Sequence, residues 1–440
     1  MNQMLNPNQT VRLLTSGSAC TVEQFLGGGG QGEVYRARLN DQDVALKWYF
    51  PAQATLDQRA ALGTLMSAGA PNTTFLWPLE LAAATGVTGF GYIMPLREPR
   101  FKGFIDLMKR RIDPTFRTLA TVGLEMANSY LHLHARGFCY RDISFGNVFF
   151  DPTNGDILIG DNDNVTVNGT ARGGVLGTPR FMAPEVVRGD VLPSTQTDLF
   201  SLAVLLFYMF MVHHPLEGKK ESAIRCFDLP AMTKLYGTEP LFIFDPDDDS
   251  NQPVPGLHDN ALTFWPIYPQ FLRDLFIRSF TDGIRDPEHG RVRESEWRTE
   301  LVQLRDAILY CGSCGAENFY DSVSLSQSGG TLPPCWACGA TVALPPRIRI
   351  EKQVIMLNHD TQLFPHHIDE TRLYDFGQPV AEVSRHPSDP SRWGLRNLSS
   401  DKWVCTLADG SVRDVEPSRN VPLAVGTKVN FGRSEGEIRL

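Results

Sequence analysis

Four side chains in the first half of the chain have the types and spacing for phosphoryl-transfer chemistry. The stretch YRDISFGN (140–147) sets Asp142 five residues before Asn147, a carboxylate to accept a hydroxyl proton and an amide to ligate a metal. Downstream, the strand-like run ILIGDND brings Asp161 to its end, positioned as the main Mg²⁺ ligand. Upstream, LGGGGQGEVYRA (26–37) fits G-x-G-x-x-G-x-V through Gly27, Gly29, Gly32 and Val34. Glycines let the backbone turn sharply and bring amide N–H groups close to phosphate oxygens. Lys47 in VALKWY, fifteen residues after Gly32, is the cation that an α/β-phosphate clamp needs. Taken singly, the glycines could form a plain hairpin tip and the lysine could be a solvated strand residue. Their order, followed by GTPRFMAPE (177–185), TDLFSL with Asp198, and Arg291 in GRVRESEW, points to one site.

A second group is built from thiols. CGSC (311–314) and CWAC (335–338) give C-x2-C, twenty residues, then C-x2-C. Cys311, Cys314, Cys335 and Cys338 can close a tetrahedral Zn²⁺ site, and a site filled by four thiolates is structural rather than catalytic. A redox role for one C-x2-C would leave the second pair unexplained. The other four cysteines, Cys20, Cys139, Cys226 and Cys405, are scattered, so the pattern favours metal binding in a reducing compartment over a disulfide framework.

The elements that must hold these residues can be read coarsely. Residues 11–50 alternate like short strands around the glycines, and 53–68 and 114–137 read as helices, the latter ending at a Gly. VFF and DILI bracket DPTNG as a hairpin. Residues 197–213 and 267–280 read as buried helices and 294–309 as an amphipathic one. The run 199–212 is too short to span a bilayer comfortably. FDPDDDSNQPVPG (244–256) lacks the Gly and distal Glu of an EF-hand loop and reads as a solvated acidic turn. From 346 onward period-two alternation with frequent turn residues is all-β in character.

The 440 residues are long enough for two or three domains, and 42% hydrophobic with 21% charged residues is a globular composition. A net charge of −9 without a long basic run argues against nucleic acid as a partner. The N-terminus lacks the pattern of a secretory signal, and no membrane association is expected; a cytoplasmic location follows.

With these motifs in order, residues from about 11 to 308 resemble a protein kinase domain. The resemblance implies an α+β fold: a bilobal kinase over 1–308 (small lobe about 11–97, large lobe about 98–308), a zinc ribbon over 309–345 and a β-sandwich over 346–440. It implies ATP and Mg²⁺ as cofactors, beside the structural Zn²⁺ that the cysteine spacing predicts. Gly27, Gly28, Gly29, Gly30 and Gly32 would cover the nucleotide phosphates, with Val34, Ala45, Met94 and Leu96 around the base and Lys47 on the phosphates. Asp142 would be the catalytic base, Asn147 and Asp161 the Mg²⁺ ligands, and Met94 the gatekeeper. Glu185 would pair with Arg291, Asp198 would brace the catalytic loop, and Thr178 matches the threonine of serine/threonine kinases. Thr166, Thr170 and Thr178 are candidate phosphosites.

Four positions depart from the family pattern. Tyr140 replaces a His, which is benign because the ring mainly packs. Ser144 stands where a Lys would steady the γ-phosphate, at a cost on the order of 10²-fold in rate. The helix over 53–68 has no Glu for Lys47, leaving Gln58 or Asp57 to meet it. Asp161-Asn162-Asp163 replaces Asp-Phe-Gly; Asp163 would follow beyond the strand end, where the chain turns away. The tail, through WGLRNLSSDKW and VPLAVGTKVNFG, resembles a forkhead-associated domain without its phosphothreonine-binding elements; His366 and His367 read as surface or packing residues. The whole arrangement is similar to a bacterial kinase group associated with von Willebrand A proteins and PP2C-type phosphatases in tellurite-resistance-linked systems. Two functions follow: a serine/threonine kinase acting on protein hydroxyls with C-terminal docking modules, or a pseudokinase scaffold that binds nucleotide and recruits partners.

Overall fold

The computed structural model describes residues 3–169, 176–386 and 388–440, without the side chains of 390 and 391. The chain forms two compact units: Met1–Trp265 with Asp274–Arg298, and Pro266–Arg273 with Thr299–Leu440.

The first unit begins with an antiparallel barrel of β1 (Thr10–Leu13), β2 (Ala19–Gly28), β3 (Gly32–Leu39), β4 (Gln42–Tyr49), β5 (Glu80–Ala83) and β6 (Gly91–Pro95), in the order β1-β2-β3-β4-β6-β5. The alternation of β4 decides what faces the site. Val44, Leu46 and Trp48 point into the barrel core, so the period of two turns Ala45, Lys47 and Tyr49 the other way. Both faces are covered, and β4 is therefore buried from Val44 to Tyr49. At the β2–β3 turn a Cβ on Gly32 would lie 2.2 Å from the Trp48 carbonyl oxygen, so only glycine lets β3 and β4 approach this closely.

Helix α1 (Leu56–Ala68) is capped by Thr55, whose hydroxyl accepts from the Gln58 N–H at 3.1 Å, and stops at Gly69 in the left-handed region. It buries Leu62 and Leu65. The helix Phe116–Ala135 is capped in the same way by Thr115. The apolar run near residue 200 forms the helix Thr195–Met211, opened by a Ser194/Thr197 capping box and buried from Thr197 to Met211. Among the described residues no helix is long and apolar enough to cross a membrane. The hairpin expected around DPTNG pairs Val148–Phe150 with Ile157–Ile159, antiparallel.

The second unit carries a small hairpin, Ile308–Tyr310 with Glu317–Phe319, beside the four paired cysteines. Beyond it lie a six-stranded and a four-stranded antiparallel sheet. Alternate residues of both, including Ile348, Leu363, Leu395, Trp403 and Ile438, make one apolar core. His366 and His367 are buried. The His367 Nδ1 accepts from the Phe364 N–H at 2.8 Å and the His366 Nδ1 from the Tyr374 N–H at 2.9 Å, a packing role.

One buried charge contributes to how the first unit responds to pH. His134, on the helix Phe116–Ala135, sits with Nε2 3.1 Å from Asp198 and Nδ1 on Glu294. Burial disfavours its charged form, but the two carboxylates prevail and raise its pKa from 6.5 to about 9. The folded state thus binds this proton more tightly than the unfolded chain. Its stabilisation is complete below about pH 6.5 and is lost as pH rises through about 9, for at most about 3 kcal/mol. Urea midpoints measured from pH 6 to 9.5 should fall over that window, and His134→Gln should flatten the profile.

Candidate active site and metal centre

A cleft of about 740 Å³ runs between the barrel and the helical part of the first unit. Leu26, Gly27, Val34, Ala45, Met94 and Leu96 line it, with Phe149, Gly160 and Asp161 opposite. Ala45 faces Met94 because β4 and β6 pair in that register. A neighbouring space of about 390 Å³ is walled by Gly28, Gly29, Gly30, Gly32 and Lys47, with Asp142 and Asp161 also lining it. The residues singled out for nucleotide binding thus converge, although they come from four strands and two loops. Pattern matching missed Leu76 and Phe149, and it named Pro95–Arg97 only for their backbone. The Arg97 guanidinium lies 4.0 Å from the Phe149 ring centre, at the cleft wall. The only sequence signal for Phe149 is its place two residues after Asn147.

Asp142 is held on both oxygens. The Asn147 amide donates to Oδ2 at 3.0 Å and to the Asp142 carbonyl at 2.8 Å, and the Thr178 hydroxyl donates to Oδ1 at 2.8 Å. With its nitrogen so engaged, Asn147 has Oδ1 left as its ligand atom. Asp198 accepts from the backbone N–H groups of Tyr140 and Arg141, the latter at 2.9 Å, so the helix Thr195–Met211 carries the loop on one carboxylate. The Tyr140 ring packs edge-on to Tyr130, and its hydroxyl donates to the Gly160 carbonyl. Farther along, Arg291 and Glu185 form a buried ion pair at 2.6 Å. Ser144 is buried and supplies no cation. Thr166 lies in the short strand Thr166–Val167, and Thr170 falls outside the described residues.

The surroundings of Lys47 differ from expectation. Neither Gln58 nor Asp57 meets it. Its ammonium lies 2.8 Å from Asp163 Oδ2 and 3.5 Å from Asp161 Oδ1. Asp161 adopts left-handed backbone (φ 45°, ψ 41°), and the chain then winds into a short 3₁₀ turn, Asn162–Asn164. That reversal folds Asp163 back beneath β4 instead of turning it away. Asp163 also accepts from the Tyr49 hydroxyl, and the Gln58 amide donates to that hydroxyl at 3.0 Å and to the Asp163 carbonyl at 3.3 Å. Asn162, buried where a Phe is usual, donates to the Ile159 carbonyl at 2.8 Å. Gln31, at the glycine turn, accepts from Lys47 at 3.3 Å and donates to Asn164 at 3.0 Å.

In the second unit the four sulfurs of Cys311, Cys314, Cys335 and Cys338 lie within 4.8 Å of one another. Cys311–Cys338 and Cys314–Cys335 are each 3.7 Å apart. A tetrahedron with 2.3 Å metal–sulfur bonds has edges of about 3.8 Å, so this donor set is compatible with Zn²⁺. Gly315 and Gly339 follow the two pairs at φ 75° and 71° and turn each knuckle back on its first cysteine.

Comparison with known proteins agrees with the first-unit site. Residues 100–263 match the protein kinase domain family, and the chain carries such a domain. Serine/threonine-protein kinase PknK of Mycobacterium bovis is 29% identical over 227 residues, 49% of this chain and 19% of that protein. CBL-interacting protein kinase 4 of Oryza sativa subsp. japonica is 27% identical over 197 residues, 42% of this chain and 41% of that protein. The DNA damage-responsive serine/threonine-protein kinase RqkA of Deinococcus radiodurans is 28% identical over 210 residues, 46% of this chain and 31% of that protein. The chain spans less than half the length of these relatives.

If Zn²⁺ closes the thiolate site, elemental analysis of natively purified protein should find about one Zn²⁺ per chain. Cys311→Ser should lower that content and loosen 311–338, seen as faster proteolysis there. A metal-free wild type with the same protease resistance would remove zinc from the account.

Proposed function

We propose that the chain is an ATP- and Mg²⁺-dependent serine/threonine protein kinase, transferring a γ-phosphoryl group to protein hydroxyls. The observation that carries this reading is Asp142, gripped on one oxygen by Thr178 and on the other by Asn147, at the wall of the glycine-lined space. A carboxylate fixed in this way is oriented to receive a hydroxyl proton as the oxygen attacks phosphorus. Thr178 leads into GTPRFMAPE, where the peptide carrying that hydroxyl would lie. Amide groups of Gly28–Gly30 and the Lys47 ammonium would meet the phosphates. Asp161, whose side chain is about half exposed to the cleft, and Asn147 Oδ1 would hold Mg²⁺, which when bound neutralises charge on the transferring phosphoryl group. Ser144 leaves the γ-phosphate without its usual lysine, so turnover is slow rather than absent. The scaffold reading rested on the missing helix glutamate and on Asn162. Lys47 has a carboxylate partner all the same, which favours the enzyme, although only the amide nitrogen of Asn162 finds a partner and its buried Oδ1 does not.

The C-terminal unit is read as a structural zinc ribbon followed by a forkhead-associated-like sandwich that docks proteins, on the motif resemblance together with the two sheets around one core. By the same resemblance the partners are a von Willebrand A protein and a PP2C-type phosphatase, in the cytoplasm, in a tellurite-resistance-linked system. The segment is expected to bind a partner equally well with or without phosphothreonine; a strong preference for the phosphorylated form in a binding assay would refute this.

Purified protein with labelled ATP and Mg²⁺ should incorporate phosphate on Ser or Thr. Asp142→Asn should lower the rate by about 10²–10⁴-fold while nucleotide affinity changes little, because the base acts in chemistry and not in ground-state binding. Equal incorporation by the two proteins would assign the activity elsewhere.

A further inference from the structure

We propose that Asp163 is the counter-ion that holds Lys47 in its phosphate-binding position, taking the place of a carboxylate on α1; the proposal rests on the kinase reading above. The two acids of the Asp161-Asn162-Asp163 turn are divided by environment. The Asp161 side chain is 47% exposed and faces the cleft, with only a 3.5 Å contact to Lys47. The Asp163 side chain is fully buried, and both of its oxygens reach the ammonium, at 2.8 and 2.9 Å. A lysine as buried as Lys47 keeps its charge only beside a carboxylate. Burial works against the lysine's charge, yet Asp163 and then Asp161 raise its pKa above the ordinary value. The Tyr49 hydroxyl fixes the Asp163 carboxylate from the side, so its remaining lone pairs are not left unmet.

The contribution of α1 is then a neutral one. Gln58 touches the pair only through the Tyr49 hydroxyl and the Asp163 carbonyl. The ion pair joins β4 directly to the turn that presents Asp161. Lys47 and the metal-binding acid are thereby positioned as one piece, and displacing α1 would break two neutral hydrogen bonds but no salt bridge. Asp163 is a positioning residue, acting through Lys47 rather than on the nucleotide.

The test moves the carboxylate. In the full chain, Asp163→Asn and Asp163→Gly should each lower kcat at least tenfold. Adding Gln58→Glu to Asp163→Gly returns an acid to α1, within reach of the Tyr49 hydroxyl, and should recover much of the lost rate. A purely structural Asp163 predicts no such rescue. Independently, thermal midpoints of nucleotide-free protein should show Lys47→Met and Asp163→Asn to be non-additive. Asp163→Gly at wild-type rate or faster would overturn the proposal, because Asp163 would then restrain Lys47 instead of positioning it. Failure of the swap together with additive midpoints would overturn it equally. If wild type transfers no phosphate, the kinase reading fails, while the midpoint cycle still decides the pairing.

Discussion

A single buried carboxylate, Asp198, organises the catalytic half of the molecule. It is nearly inaccessible, opens the most thoroughly buried helix, and accepts from two consecutive backbone N–H groups, those of Tyr140 and Arg141, while also meeting His134. Unmade, each of those amide bonds would leave a buried donor at a cost of about 1–3 kcal/mol. The loop bearing Asp142 and Asn147 therefore has its backbone clamped to the core. The Thr178 contact to Asp142 and the buried Tyr140–Gly160 bond build on that anchor.

The same logic appears at the edge of the unit. Glu185 and Arg291 lie more than a hundred residues apart in sequence, yet both are buried and meet at 2.6 Å. Such a pair stabilises less by net energy than by specificity, since removing one partner leaves the other charge unmet. It ties the end of the segment containing Thr178 to the helical core, so the hydroxyl gripping Asp142 is set from both directions.

Much of this was legible in the sequence, because glycine spacing, Asp-x4-Asn and the strand-end aspartate are constraints of local backbone geometry. The motif resemblance put Lys47 and Ala45 at one site, and the apolar run at 199–212 announced a core helix. The Lys47 partner was not legible. Sequence reasoning had the chain turning Asp163 away beyond the strand end, whereas the left-handed conformation at Asp161 turns it inward, and no rule of propensity forces a non-glycine residue into that region. Phe149 and Gln31 escaped for another reason. Each reaches the site through a tertiary approach between strands and loops that no local spacing encodes.

The carboxylates described around the glycine turn have a collective consequence. Asp161 and Asp163 share a single ammonium, that of Lys47, Asp142 lines the same space, and no cation stands at Ser144. The acids thus outnumber the one lysine that lines this space. Crowding shows in Asp161 itself, whose pKa is raised by burial and, against the pull of Lys47, by Asp163. On the kinase reading, a nucleoside triphosphate complexed to a divalent cation would bring into this space positive charge that a bare one lacks. The crowding of acids thus argues for the metal complex, rather than the bare nucleotide, as the form this recess would admit.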